Sequence, residues 1–112
     1  VRAKEEYEAE KLLNDAIALE NAGCFAIVLE KIPAELGRKV AQSLHIPVIG
    51  IGAGKYVDGQ VLVMHDMLGL THQFSPKFLR RYANMYDTCL DAFRQYVTDV
   101  KQNDFPNDNE QY

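Results

Sequence analysis

The chain has 112 residues, 47% of them hydrophobic and 25% charged, with a formal net charge of -4. That is enough length and apolar content for a domain with a real core, and the acidic balance, with no basic cluster, argues against nucleic acid or an anionic membrane as partner. No apolar run approaches the roughly 18 residues of a membrane span, and no stretch reads as a signal peptide.

Residues Lys4 to Ala22 place Ala9, Leu12, Leu13, Ala16, Ile17 and Leu19 at helical spacing. Glu5, Glu6 and Glu8 load the first turns, where acids complement the helix dipole, and no capping residue precedes Lys4. Gly23 is the expected stop, because glycine takes a left-handed cap without strain. Val1 stands in place of an initiator methionine, so a piece of something longer is expected.

Phe25–Pro33, FAIVLEKIP, follows as an apolar run ending in one carboxylate. Such a run predicts a strand buried on both faces, as in a parallel sheet, with Glu30 at its carboxyl end, where α/β architectures bind ligands. Alternation puts Ala26, Val28 and Glu30 on one face and Phe25, Ile27 and Leu29 on the other. If the bulky face meets helices, Glu30 lies at a barrel mouth among apolar side chains that would desolvate it and suit it to act as a general base. Spacing alone favours the plainer alternative of a solvated carboxylate ending a strand.

Pro33 is well placed to open a second helix carrying Leu36, Val40, Ala41 and Leu44 on one side and a solvated face of Glu35, Arg38 and Lys39. His45-Ile46-Pro47 ends it. Val48 to Ile51 reads as a second buried strand running into Gly52-Ala53-Gly54. Its alternation allows Ile49 and Ile51 to face the helices and Gly50 and Gly52 the interior, making room for a ligand; a tight strand exit explains the glycines equally well. The series is not a dinucleotide fingerprint, because Lys55–Gly59 reads as a loop closed by an Asp-Gly turn.

Gln60 to Met64 is expected as a third strand ending at His65-Asp66. The spacing of His65, Asp66 and His72 matches no helix-borne metal pair, so a capping or loop-fixing role is expected for Asp66 and no metal ligand is assigned. Ser75-Pro76 predicts a helix start. A helical period then runs through Phe78, Leu79, Tyr82, Tyr86, Cys89, Leu90, Phe93, Val97 and Val100 to Gln102, read as two helices with Asp87 or Thr88 capping the second. These aromatics suit core or subunit contact. Cys24 and Cys89 are expected as buried free thiols of a reducing cytosol. Residues 103–112 form a polar tail expected to run loose or to pack on a neighbour.

The order of elements is that of an α/β fold with parallel strands. Three strands cannot close a barrel, and a complete (β/α)8 TIM barrel takes about 250 residues, so residues 1–102 are expected to be its carboxyl-terminal part, including terminal helices.

DAIALENAGCFAIVLEKIPAEL at Asp15–Leu36, IPVIGIGAG at Ile46–Gly54, DGQVLVMHDMLGL at Asp58–Leu70, PKFLRRYA at Pro76–Ala83 and the final Phe105-Pro106 together resemble the ketopantoate (3-methyl-2-oxobutanoate) hydroxymethyltransferase family over nearly the whole chain. The resemblance implies a cytoplasmic (β/α)8 enzyme that makes 2-dehydropantoate, a pantothenate precursor, from 3-methyl-2-oxobutanoate and 5,10-methylenetetrahydrofolate. It implies magnesium on the oxo acid, bound by carboxylates of an amino-terminal half outside this chain, and homo-oligomers as large as decamers. By its place in the VLE-x-IP motif, Glu30 resembles the glutamate that takes the C3 proton, and this moves it from solvated carboxylate to catalytic base. Lys31 and Ile32 stand where relatives vary. Two rivals remain: a non-catalytic assembly module lacking the metal-binding half, and another carbon–carbon bond enzyme of the barrel superfamily that includes phosphoenolpyruvate mutase and isocitrate lyase.

Overall fold

The computed structural model describes residues 1–112, which divide into two units, Val1–Leu62 and Val63–Tyr112. No helix in either is long and apolar enough to cross a membrane.

The first unit opens with helix α1, Glu6–Asn21, whose N-cap Glu5 makes no side-chain cap bond. Glu6 and Glu8 in the first turn leave the dipole to supply what a cap would have given. The helix ends at Asn21 with Ala22 as its C-cap, and Gly23 turns the chain away with φ 103. Strand β1 is Ile27–Glu30. It starts later than its apolar run because Ile27 N–H donates to the Pro47 carbonyl, and before Pro47 no partner strand exists. Phe25, expected on the helix-facing side, is therefore left 89% exposed. Helix α2, Ala34–Ser43, follows Pro33 and buries Leu36, Gly37 and Val40. Strand β2, Val48–Ile51, and the short β3, Gly59–Gln60, complete a sheet of order β1-β2-β3. Both pairings are parallel, as expected.

The register fixes which side chains share a face. Ile27 pairs with Val48 and Leu29 with Gly50, and these positions are buried with Ile32, Leu36, Val40 and Leu44. Val28 pairs with Ile49 and Glu30 with Ile51 on the opposite, open face. The expected faces of Ile27, Leu29, Val28 and Glu30 hold. Burial on both faces does not, since Val28 and Glu30 are exposed.

The expected faces of β2 are reversed: Gly50 looks toward the packed side, and Ile49 and Ile51 share the face of Glu30. A Cβ on Gly50 would meet the Val57 and Ala53 side chains, one on Gly37 would meet the Ala53 carbonyl, and one on Gly54 would lie 2.4 Å from Ala34 Cβ. Of the two readings of these glycines, the geometry favours close packing of the strand exit on α2.

The third strand is also shorter than expected. Val61 N–H adds one bond to the Gly50 carbonyl, but the next acceptor, Gly52 O, is already taken by Ile32 N–H. Gly52 turns away with φ 67. Residues 62–64 thus have no strand to pair with.

The second unit begins with α3, Met64–Met67. The helix expected at Ser75-Pro76 is absent, although Leu79 N–H closes a turn on Pro76 O. Instead the chain is held by α3 and its exit: Tyr82 N–H donates to Met67 O, Met85 N–H to Leu68 O and Tyr86 N–H to Gly69 O. Arg81 bridges Ser75 Oγ and the carbonyls of Thr71 and Phe74. Amides engaged in this way cannot close helical turns. One helix follows rather than two: α4, Met85–Lys101, with Asn84 at its N-cap and its side chain bonded to Asp87 at 2.7 Å. The tail does not run loose. Asp104 and Phe105 N–H donate to Asp99 O, Phe105 packs edge-on against Tyr96 at 5.6 Å, and Asn107 and Glu110 form a capping box around a final 3-10 turn.

Candidate functional site

Four elements place Glu30. Strand β1 carries it to the carboxyl end of the sheet, and β2 sets Ile51 directly beside it. Below it on the same face stand Val28 and its partner Ile49. The Gly52–Gly54 exit and the start of α2 meet at the same end of the sheet, with Gly54 against Ala34. The result is an acid at the tip of an apolar strip. Glu30 is exposed here, so the enclosure expected from its apolar neighbours is not supplied by these 112 residues.

The backbone after Glu30 departs from the strand. Lys31 has φ 52, Lys31 N–H donates to Ile51 O at 2.9 Å, and Ile32 N–H donates to Gly52 O at 3.1 Å. Nothing in the sequence signalled this turn, because the residue is not glycine.

His65, Asp66 and His72, the remaining polar residues singled out in the sequence, belong to the second unit. Asp66 is buried and accepts the Thr71 hydroxyl at 2.7 Å, the loop-fixing role expected of it. His65 is exposed on α3, and His72 stacks on the Tyr86 ring at 4.3 Å. No three His, Cys, Asp or Glu side chains gather into a metal-binding group. Cys24 and Cys89 are free thiols, half-buried rather than buried. Sequence reasoning missed Glu20, whose carboxylate accepts both the His45 and Ile46 amides and ties α1 to the approach of β2.

A sequence model of the ketopantoate hydroxymethyltransferase family matches residues 1–108. The curated 3-methyl-2-oxobutanoate hydroxymethyltransferase of Porphyromonas gingivalis is 69% identical over all 112 residues, which cover 41% of that protein. Proteins of the same name from Flavobacterium johnsoniae and Christiangramia forsetii are each 66% identical, again over the whole chain and 41% of their own length. The chain thus spans 41% of the length of the curated relatives it matches. A family-model match over residues 1–108, together with relatives at this identity over the whole chain, means that the chain belongs to the ketopantoate hydroxymethyltransferase family.

Proposed function

We propose that this chain is part of a cytosolic 3-methyl-2-oxobutanoate hydroxymethyltransferase and supplies its base, Glu30. The observation that carries the reading is the position of that carboxylate, at the carboxyl end of a parallel strand and on one face with Val28, Ile49 and Ile51. The names of the relatives support the reaction.

3-Methyl-2-oxobutanoate is a carbon acid at C3. Glu30 takes the C3 proton, and the electron pair of that C–H bond passes into the enolate. Water adds to the methylene carbon of 5,10-methylenetetrahydrofolate and both of that carbon's bonds to nitrogen break, so that tetrahydrofolate leaves and the carbon is delivered as formaldehyde. The enolate's C3 bonds to that carbon, the C=O π pair moves to oxygen, and the proton held by Glu30 completes the hydroxyl of 2-dehydropantoate. A carboxylate within hydrogen-bond reach of the reacting proton is what the first step needs. The two methyl groups on C3 then necessarily lie close to the acid, and Ile51 beside it offers them apolar contact.

On this reading the strands are the carboxyl-terminal part of a (β/α)8 barrel, and their open face is its interior. Parallel order and an apolar open face support this, since parallel sheets are covered on both faces. The ligands of the magnesium ion lie outside these residues. Assembly into a homo-oligomer is supported by α4, on which Phe93 is 67% exposed and Tyr96, Val97 and Val100 are exposed beside it. Phe93→Glu in the full-length protein should lower the assembled mass by light scattering, and an unchanged mass would remove α4 from the interface.

The deciding experiment is Glu30→Gln in the full-length enzyme, followed by NMR of C3 proton exchange into deuterated solvent. Exchange should fall by about a hundredfold or more with the circular dichroism unchanged. Exchange at the parent rate would take the base role from Glu30.

A further inference from the structure

We propose that Lys31 is a positioning residue for Glu30, and that it acts through its left-handed backbone rather than its ammonium group. The proposal rests on the reading of Glu30 as base. Lys31 takes φ 52 where an L residue is strained and glycine would be at ease. What holds it there is visible on both sides. Its N–H donates to Ile51 O at 2.9 Å, and its carbonyl accepts Arg2 N–H at 2.8 Å. The next amide, Ile32 N–H, also donates to the end of β2, at Gly52 O.

In a regular parallel ladder only alternate amides of a strand face a given neighbour. Two in succession have the character of a bulge, a feature that re-aims side chains beside active sites. The side chains show the effect. Strict alternation would turn residue 31 toward the packed face and residue 32 toward the open one. Instead Lys31 is exposed and Ile32 is only 5% exposed, within the core. The turn therefore keeps a lysine out of the core, seals the core with Ile32, and fixes the peptide that leaves Glu30. That peptide, tied to Ile51 O, anchors the backbone from which the Glu30 side chain springs. Strained backbone at non-glycine residues clusters at active sites, where it serves pre-organisation.

The test uses the full-length enzyme with Lys31→Gly, Lys31→Asn and Lys31→Val, reading kcat and KM for C3 proton exchange alongside thermal melting. Glycine and asparagine tolerate the left-handed region and should hold kcat within about twofold. Valine, a β-branched residue for which that region is a true outlier, should lower kcat by about tenfold with KM for the oxo acid within about twofold. Lys31→Ala keeps the ranking testable if the valine variant does not fold, with kcat expected between those of asparagine and valine. Equal kcat across the series overturns the proposal. A glycine variant as impaired as the valine variant also overturns it, by assigning the effect to the lysine side chain. Glu30→Gln separates the two readings: exchange retained there defeats the base assignment, whereas exchange lost there with a flat Lys31 series defeats the positioning role alone.

Discussion

Replacing Gly54 by alanine decides between the two readings of the glycine-rich exit from β2. Gly54 has φ 82, and a Cβ built on it would lie 2.4 Å from Ala34 Cβ and 2.8 Å from Ala34 Cα. Two costs follow. The left-handed conformation costs an L residue about 1 kcal/mol or more. Forcing a methyl group against the first residue of α2 adds about 1–3 kcal/mol, because backbone cannot swing aside as a long side chain can. A total of about 3 kcal/mol is a large fraction of a typical folding stability of about 5–15 kcal/mol. Gly23 provides the control, since it has φ 103 but nothing within 4 Å of its would-be Cβ. Gly23→Ala should therefore cost only the conformational part, about 1 kcal/mol. Urea unfolding of the full-length protein, followed by circular dichroism, measures both. Equal losses would refute the packing argument. A Gly54→Ala protein of parental stability with a raised KM for the oxo acid would restore the ligand-approach reading.

Two further outcomes follow from single contacts. Glu20→Ala frees the His45 and Ile46 amides and should lower stability by about 1–2 kcal/mol at this half-buried position, with Glu20→Gln recovering much of the loss in a thermal melt. Asp66→Ala strips the acceptor from the Thr71 hydroxyl and should cost about 1–3 kcal/mol, and a cycle with Thr71→Val should be non-additive, because both variants break one 2.7 Å bond.

How much of this was legible in the sequence depends on whether the deciding interaction was local. Val48–Ile51 was found to the residue because Pro47 and Gly52 bound it on both sides. Gly23 turned the chain out of α1 for a reason contained in one residue. The faces of β1 could be assigned because one carries the bulky Phe25, Ile27 and Leu29 and the other the smaller Ala26 and Val28 with a carboxylate. In β2 no polar residue does so, and its parity comes from pairing with β1, a contact across more than twenty positions that alternation within VIGI cannot reveal. Ser75-Pro76 carries sound local signals for a helix start. They lost to bonds from Met67, Leu68 and Gly69, which claim the amides of Tyr82, Met85 and Tyr86. Glu30 was legible as a candidate through its motif, whereas the turn at Lys31 was not, because φ 52 there is imposed by Arg2, Ile51 and Gly52.

The exposure of Glu30 bears on where the catalytic environment comes from. An acid that removes a proton from carbon gains from a dry, enclosed site, and here the carboxylate is open to water. Yet the strip it tops is built from Val28, Ile49 and Ile51, and Val28 is 62% exposed. Isolated apolar residues on a surface need no explanation, but a β-branched row along one face of a parallel sheet is what a covered sheet looks like. The packed face explains why α1 and α2 are where they are; it does nothing to explain why the other face is apolar. In the relatives, more than half of the length lies outside the matched segment, which is chain enough to cover that face. The division of labour is then written into the alternation of β1 and β2. Ile27, Leu29 and Val48 secure the scaffold, while Val28, Ile49, Ile51 and Glu30 form the face that, on the proposed reading, a covered barrel interior would enclose around the base.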